Sequence, residues 1–557
     1  MKMKKLWSPT ADLIVKNITV YTVDLTIDEI RKGKTDFSII ENGYVASKDG
    51  KTIAVGSELD EKLIGPDTEV IDGKGNILIP GLIDSHIHAM FAGLELVNVN
   101  LKGAKTKIEF IELLKAKAAV TPKGEWITGN EWNELVWDIK EAPTKDDLDK
   151  VSTEHPIVCS RLCHHVCVIN SKVIELAGLT KDSPDPDGGI IGRDQDGNPN
   201  GLLYESSAIG LIENIIPELT EEQRIEGIVE MGKILNESGI TSCIDANLAI
   251  DDMKAYLQAD KNQKLTYRAN MMFYLDKNSG DIPYHLNKIK EMPAVTGFGN
   301  DMVKLNGIKI LFDGIPATGT AAMRKPYEHI PETSGYTTIT AAEMIDVAKM
   351  AAKYNWQIGV HSCGDKSADI AIESFVEAYK VNNNDARHYI IHHAVMQPDQ
   401  LPIMKAYNIP ITVQPTINSL MGEQGLIGKE LAERYMQYKT FMDAGILVGG
   451  SSDCPVISCN PFLGMYSAIT RLSVADGVVW SPEQVLTAAQ ALIMWTKSSA
   501  YFSHDDDKMG SIEVGNYSDY VLIDTPILTA TPEKIRDTTV LKTILNGKVV
   551  YQVPDQK

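Results

Sequence analysis

Long hydrophobic runs are absent from this chain of 557 residues. A membrane-spanning helix needs roughly 20 consecutive apolar residues, and no stretch approaches that length. The first residues include several lysines, but no apolar segment follows them, so we predict no signal peptide. We therefore expect no membrane partner.

Cysteine and positive charge are also scarce. Seven cysteines, an odd number in so long a chain, do not suggest the disulfide framework of a secreted protein. The formal net charge of −21 disfavours binding to nucleic acid. With 43% hydrophobic and 23% charged residues, the composition is typical of a soluble globular protein. We expect a cytoplasmic enzyme or binding protein whose partner is a small molecule.

Both ends of the chain are rich in short β-strand patterns. Residues 1–75 and 505–557 contain runs of β-branched residues separated by glycine-containing turns, among them Asn42-Gly43 and Asn546-Gly547. Their similar style predicts one β domain made from both termini, which encloses a central domain over 76–504.

The central domain alternates between helices and strands. Capping boxes at Thr220–Gln223 and Thr340–Glu343 predict helix starts, and Ser481-Pro482 predicts another. Many strand–helix units in series favour a parallel sheet closed into a (β/α)8 TIM barrel, an α/β fold. The segment between His88 and Thr220 is far too long for a loop. We interpret about 100–210 as a subdomain inserted after barrel strand 1.

Two histidines end the first predicted barrel strand. His86 and His88 follow the apolar run Ile77–Ile83, which is interrupted by Pro80-Gly81. Side chains two residues apart on a strand leave the same face, so both imidazoles are expected to point to one spot, as metal ligands must.

Similar residues end the later predicted strands, namely His361, His393 and Asp453. Catalytic groups in a barrel come from the carboxyl ends of several strands, so these side chains are expected to converge with His86 and His88. Four histidines and one aspartate suit Zn²⁺ or a similar divalent ion.

Lys309 lies within the apolar run Gly307–Phe312. A buried ammonium beside a divalent cation would lose its proton, and the neutral amine can react with CO₂ to give an anionic carbamate that bridges two metals. The alternative is a lysine whose ammonium reaches solvent from a strand end.

The sequence resembles the amidohydrolase superfamily over nearly its whole length, and more narrowly the amidohydrolase-3 group, which includes N-substituted formamide deformylases. The first-strand signature is Pro80-Gly81-Leu-Ile-Asp84-Ser-His86-Ile-His88. Further matching segments are Pro143–Asp149, His155-Pro156, Arg161–His165, Asn170-Ser171, Asp185–Gly189, Gly201–Glu205, Gly239–Ser242, His361–Asp365, His393-Ala394 and Ser452–Val456.

The resemblance implies a barrel with a β-sandwich from both termini and an insertion. By position, His86, His88 and Asp453 would hold a first metal, and His361 and His393 a second, with N6-carboxylated Lys309 between them. Whether one ion or two are bound stays open, as do Mn²⁺, Fe²⁺ and Co²⁺ beside Zn²⁺. A homodimer is expected from the resemblance alone.

Two positions depart from the group. His164 stands where relatives often have glycine, and His392 where they often have glutamate. From the register of the motifs we expect His165 and His393, rather than these neighbours, to face the site.

The resemblance implies a metal-dependent amidohydrolase that cleaves a non-peptide C–N bond of a small molecule, an amide or an N-substituted formamide, with metal-activated water. Asp453 would act as general base and then general acid, and His165 would bind the substrate carbonyl. Weaker candidates for substrate binding are Asn130, Trp132 and Glu205. The alternatives are a hydrolase of cyclic amides, esters or lactones, and a non-catalytic regulatory or binding protein.

Overall fold

The structure is a computed structural model that describes residues 10–163, 165–213, 215–275, 281–420 and 427–554. The chain divides into two units. One comprises Met1–Ala89 together with Gly232–Lys557, and the other Met90–Met231. Across the described ranges, no helix is both long enough and apolar enough to cross a membrane.

Eight parallel strands form a nearly closed barrel in the first unit, and each strand pairs with the next one along the chain. This confirms the predicted parallel sheet of the barrel class. The strands are Leu82–Ile87, Ile240–Leu248, Arg268–Leu275, Val303–Leu311, Ile358–Ser362, Tyr389–His392, Ile411–Val413 and Val448–Gly450.

Side chains fill the interior of the barrel at the end where the strands begin. Met272, Tyr389 and Ile391 form a buried cluster there with Phe502, and none of the four exposes more than 1% of its surface. A packed lower half is what a barrel of this size requires, since its interior is a core and not a pore. The polar side chains of the candidate site lie at the opposite end, where the strands finish.

Helices alternate with the strands, as predicted. The Thr340–Glu343 capping box is present, with the Glu343 N–H donating to the Thr340 hydroxyl and the Glu343 carboxylate accepting from Thr340 N–H. The principal helices of the barrel are Glu221–Glu237, Ile250–Lys261, Ile282–Glu291, Ala341–Lys353, Asp365–Val381, Leu401–Ala406, Pro415–Leu420, Lys429–Ala432, Tyr438–Asp443, Pro461–Thr470, Ala488–Met494 and Lys497–Phe502.

The helix predicted to begin at Ser481 does not form there. Ser481 has a φ of 48°, and only a short 3-10 turn, Pro482–Gln484, follows it. The next helix starts instead at a capping box between Thr487 and Gln490. Ser481-Pro482 therefore marks a turn, and the N-cap of the helix is Thr487, six residues after Ser481.

Strands from both termini join in one β-sheet. Its strands are Leu13–Tyr21, Ile39–Lys48, Lys51–Gly56, Glu69–Asp72, Ile77–Pro80, Tyr520–Ile523, Val540–Leu545 and Lys548–Gln552. Ile77–Pro80 lies beyond the boundary predicted at residue 75. It pairs in parallel with the first strand and antiparallel with Tyr520–Ile523. Because this strand pairs with strands from both ends of the chain, the terminal strands form one continuous sheet, and its packing as a β-sandwich stays a prediction.

The second unit, Met90–Met231, corresponds to the predicted insertion and extends beyond 100–210 at both ends. It contains a six-stranded sheet formed by Val99–Asn100, Ile127–Trp132, Ile157–Arg161, Val166–Ile169, Ile190–Arg193 and Pro199–Tyr204. Trp132, Phe110 and Trp137 form the centre of its own hydrophobic core.

A buried ion pair connects the barrel to the terminal sheet. The Arg268 guanidinium, in the third barrel strand, donates two hydrogen bonds to the Asp519 carboxylate at 2.7 and 3.0 Å. Asn546 N–H also donates to this carboxylate at 2.9 Å. Arg268 is 2% exposed and Asp519 6%, so neither charge has water as an alternative partner.

We expect Asp519→Asn to lower the free energy of unfolding by about 3–5 kcal/mol, because it leaves the guanidinium buried without its counter-charge. Chemical denaturation would measure this. The control is Asp537→Asn, which removes an exposed pair with Arg536 and should leave the midpoint unchanged. Equal midpoints for the two variants would contradict a structural role for the buried pair.

Candidate metal centre

A cavity of about 330 Å³ opens at the ends of the barrel strands. Its polar residues are His86, His88, Asn247, Lys309, His361, Cys363, His392, Tyr435 and Asp453. The remaining wall is mostly apolar and includes Ile315, Pro316, Ile417 and Val456. Charged and metal-binding side chains are therefore concentrated in one part of a cavity that is otherwise suited to apolar groups.

His86 and His88 both point to Asp453. Their Nε2 atoms lie 3.2 and 3.1 Å from Asp453 Oδ1. Backbone hydrogen bonds hold this arrangement, since Asp453 N–H donates to His86 O and His88 N–H donates to Cys454 O, both at 2.9 Å. The ends of the first and last barrel strands therefore bring together His86, His88 and Asp453, the three residues that the sequence analysis assigned to one metal ion.

Lys309 lies beside this group and does not reach solvent. Its Nζ is 3.3 Å from His86 Nε2, and the residue is 1% exposed. Burial lowers the pKa of Lys309 to about 7, against a smaller opposing effect of Asp453. A substantial fraction of the amine is therefore neutral near neutral pH.

The protonation states of the other groups follow from their surroundings. Burial, together with the nearby Lys309 charge, holds the pKa of His86 well below its ordinary value. Burial by itself would raise the pKa of Asp453, but hydrogen bonds with His86 and His88 outweigh it and keep this pKa well below its usual range. A neutral imidazole and an ionised carboxylate are the forms that bind metal ions.

His393, which we expected from the sequence to face the site, does not line the cavity. His392 lines the cavity, and its ring centroid lies 5.4 Å from that of His86 and 4.4 Å from that of His361. His393 packs against Phe441, with ring centroids 4.9 Å apart, and burial lowers its pKa to about 4. The strand ends at His392, whose φ of 76° breaks the alternation on which the choice depended.

Gln414 fixes the orientation of His392. The Gln414 amide nitrogen donates to Ser451 Oγ at 2.8 Å, and this hydroxyl donates to Val413 O at 3.0 Å. Gln414 Oε1 must then accept from His392 Nδ1–H, at 2.6 Å. The proton is thereby held on Nδ1, and Nε2 keeps its lone pair for a metal. Sequence reasoning missed Gln414, although it is a polar residue directly after a predicted strand.

His361 is oriented by the backbone. Its Nε2 lies 3.3 Å from Gly314 O, an acceptor, which places the proton on Nε2 and leaves the lone pair on Nδ1. Burial lowers the pKa of His361 to about 3.

Asp313 and Cys363 are also close to His361 Nε2, at 3.8 Å for Asp313 Oδ1 and 3.7 Å for Cys363 Sγ. The Asp313 carboxylate already accepts four hydrogen bonds, from the N–H groups of Ala322, Cys363 and Gly364 and from Ser367 Oγ. We therefore interpret Asp313 as an anchor for this turn.

The residues predicted from the insertion belong to the second unit. His165 Nδ1 lies 2.8 Å from Glu205 Oε2, and both side chains are exposed. His164 lies outside the described residues. Asn130 is partly buried, and its role stays a prediction, as do those of His165 and Glu205. Trp132 is completely buried and donates to Cys159 O at 3.0 Å, so its predicted role in substrate binding is replaced by a role in the core.

The donor set fits a divalent metal ion. His86, His392 and Asp453 each offer an atom, and the three atoms lie within 4.8 Å of one another. His88 Nδ1 lies 3.3 Å from Ala246 O, and its Nε2 lies 3.1 Å from Asp453 Oδ1. Because Ala246 O can accept a hydrogen bond from Nδ1–H, Nε2 could bind a cation in place of a proton, and about 3.3 Å separates neighbouring ligands of a tetrahedral zinc ion.

A parallel barrel with candidate metal ligands at the ends of its strands points to the class of metal-dependent barrel proteins. Comparison with known families makes this specific, because the model of the amidohydrolase family matches residues 69–551. The chain belongs to the amidohydrolase family.

Individual relatives cover nearly the whole chain. The N-substituted formamide deformylase of Arthrobacter pascens is 24% identical over 553 aligned residues, which cover 97% of this chain and 98% of the relative. The protein LONG AFTER FAR-RED 3 of Arabidopsis thaliana is 27% identical over 570, covering 99% and 94%. The crystal structure of a metal-dependent hydrolase from Pyrococcus furiosus matches 93% of this chain and 100% of its own, with 25% identity and a TM-score of 0.74.

We expect Gln414→Leu to weaken the binding of Zn²⁺ by about 10–100-fold, because His392 loses the acceptor that fixes its proton on Nδ1. Titration of the metal-free protein with Zn²⁺ would measure the affinity. Gln397→Leu is the matched control, because that amide bonds to Asp365 away from the cavity. Equal affinity in the wild type and Gln414→Leu would contradict the orienting role.

Proposed function

We propose that this protein is a metal-dependent amidohydrolase that cleaves a non-peptide C–N bond in a small amide or N-substituted formamide. The observation that supports this most directly is the convergence of His86, His88, His392 and Asp453 beside Lys309 in one cavity. We assign His392, in place of His393, to the ligand set together with His361. A similar formamide deformylase provides the substrate class.

A divalent ion held there, with Zn²⁺ as our choice, would polarise the substrate carbonyl and lower the pKa of water. The protein has to supply a group that moves protons next to it. Asp453 is suited to this, because its carboxylate is ionised and one of its oxygens already faces both His86 and His88. It would accept a proton from the attacking water and pass it to the leaving amine.

The apolar wall suggests which substrates fit. Ile315, Pro316, Ile417 and Val456 would contact the organic part of the substrate and exclude water from it. Among the described residues that line the cavity, Lys309 and Asp453 are the only lysine, arginine, aspartate or glutamate, and both are assigned to the metal centre. A neutral amide with an apolar substituent therefore suits this cavity better than one with a carboxylate.

For Asp453→Asn we expect a loss of kcat of about 100-fold or more on the best substrate, because an amide cannot accept the proton. The metal-loaded wild type is first assayed on N-substituted formamides, open-chain amides, hydantoins and lactones. Asp443→Asn, which alters an exposed carboxylate paired with Lys439, is the control. Preferential turnover of hydantoins or lactones would replace the proposed substrate class, and unchanged activity of Asp453→Asn would contradict the role of this residue.

We infer that Lys309 is carboxylated and that its carbamate would serve as a bridging ligand if two ions are bound. We expect Lys309→Ala to lose metal and activity, with partial rescue by formate, a small carboxylate that can enter the space left by the side chain. Metal uptake by the metal-free wild type in bicarbonate should increase as the pH rises through about 7, because the neutral amine reacts with CO₂.

Metal analysis and assays at pH 6 and 8 would test this role. Lys439→Ala, which removes a partly exposed lysine paired with Asp443, is the control. Unchanged metal content in Lys309→Ala would exclude the bridging role, whatever the activity of the wild type.

A further inference from the structure

Asn247 is a polar residue of the cavity that has no part in the metal centre. It lies in the second barrel strand, Ile240–Leu248, one position before the end, and lines the cavity together with the candidate ligands. Its side chain is exposed, and within the described part of the chain its amide makes no hydrogen bond. The amide is therefore available to a molecule that enters the cavity.

The backbone at Asn247 departs from a regular strand. Its φ is 66°, in the left-handed region that asparagine tolerates better than most residues. The second strand pairs with the third at Asp245–Met271 and Leu248–Phe273, so it has one extra residue between these pairs. Such a β-bulge redirects a side chain from the alternation of its strand, and here the side chain lines the cavity.

Two contacts attach this bulge to the end of the first strand. The Ala246 carbonyl lies 3.3 Å from His88 Nδ1, and Asp245 Oδ1 accepts a hydrogen bond from Ala89 N–H at 2.8 Å. Asn247 is therefore held on the side of the cavity where His88 lies.

A secondary amide brings two polar groups into this cavity, a carbonyl oxygen and an N–H. Under the function proposed above the carbonyl faces the metal ion, and the N–H then needs an acceptor, because a buried donor without one destabilises the complex. Three polar lining residues lie outside the assigned ligand set, namely Asn247, Cys363 and Tyr435. The amide oxygen of Asn247 is a better acceptor than a thiol or a phenol hydroxyl.

We propose that Asn247 Oδ1 binds the N–H group of the substrate, and that this contact selects amides and formamides that carry an N–H over those whose nitrogen is fully substituted. The proposal rests on the proposed function for the position of the carbonyl. An N-methyl group in place of the hydrogen removes the bond and leaves the methyl group against a polar oxygen. The expected preference for the N–H compound is about 10-fold.

The experiment compares N-cyclohexylformamide with N-cyclohexyl-N-methylformamide on the full-length protein. Ligand-observed NMR measures their binding to the metal-free protein, and steady-state kinetics give kcat/KM for the metal-loaded protein. The wild type is expected to favour the N–H compound by about 10-fold in both measurements. In Asn247→Gly, which adopts a positive φ without strain, this preference should largely disappear. Effects of the size of the methyl group persist in the variant, so the change in preference reports the bond.

Two control variants should keep the preference. Tyr435→Phe removes the phenol hydroxyl that also lines the cavity. Asn408→Gly alters another asparagine with a left-handed backbone, at a φ of 50°, which does not line the cavity.

Equal preference in the wild type and Asn247→Gly would overturn the proposal, as would its loss in Tyr435→Phe or the absence of any binding. Binding to the metal-free protein requires no turnover. A preference found there without hydrolysis by the loaded protein would contradict the proposed function and support the role of Asn247. Hydrolysis without the preference would support the function and overturn that role.

Discussion

The closure of the barrel is the constraint on which the candidate site depends. Asp453 and Cys454 exchange backbone hydrogen bonds with His86 and His88, although the two pairs lie more than 350 residues apart in the chain. These bonds bring the carboxylate of the last strand to the two imidazoles of the first. The inserted unit, Met90–Met231, begins directly after this junction in the sequence. A ring of consecutive parallel strands can therefore accommodate a long insertion without separating its ligands.

Burial shifts the pKa values of the residues at this junction. Burial lowers the pKa of His86, the pKa of Lys309 falls to about 7, and Asp453 remains ionised because it has hydrogen-bond partners. A divalent cation could take the place of the protons between the imidazoles and the carboxylate, and burial favours the neutral imidazole that binds it.

Much of this arrangement could be predicted from the sequence, because it depends on local patterns. Alternating strands and helices predicted the barrel, and His86 and His88 fall on the same face of a strand, as their spacing requires. The choice between His392 and His393 could not be made in this way. It depends on left-handed backbone at both residues, with φ values of 76° and 42°, where the alternation of a strand no longer applies. Similarly, Trp132 became a core residue through contacts with Trp137 and Phe110, which no local pattern specifies.

For the same reason, the residues that support the ligands were harder to predict than the ligands. Gln414 acts on His392 only because Ser451, directly after the neighbouring strand Val448–Gly450, fixes which end of the amide faces the imidazole. A glutamine after a strand does not by itself predict this orienting role, because either its amide oxygen or its amide nitrogen could face the imidazole. The ligand types follow from the chemistry of the metal, but their orientation follows from hydrogen bonds between adjacent strands. The orientation and proton state of His392 therefore depend on residues at the ends of adjacent strands, not on any single motif.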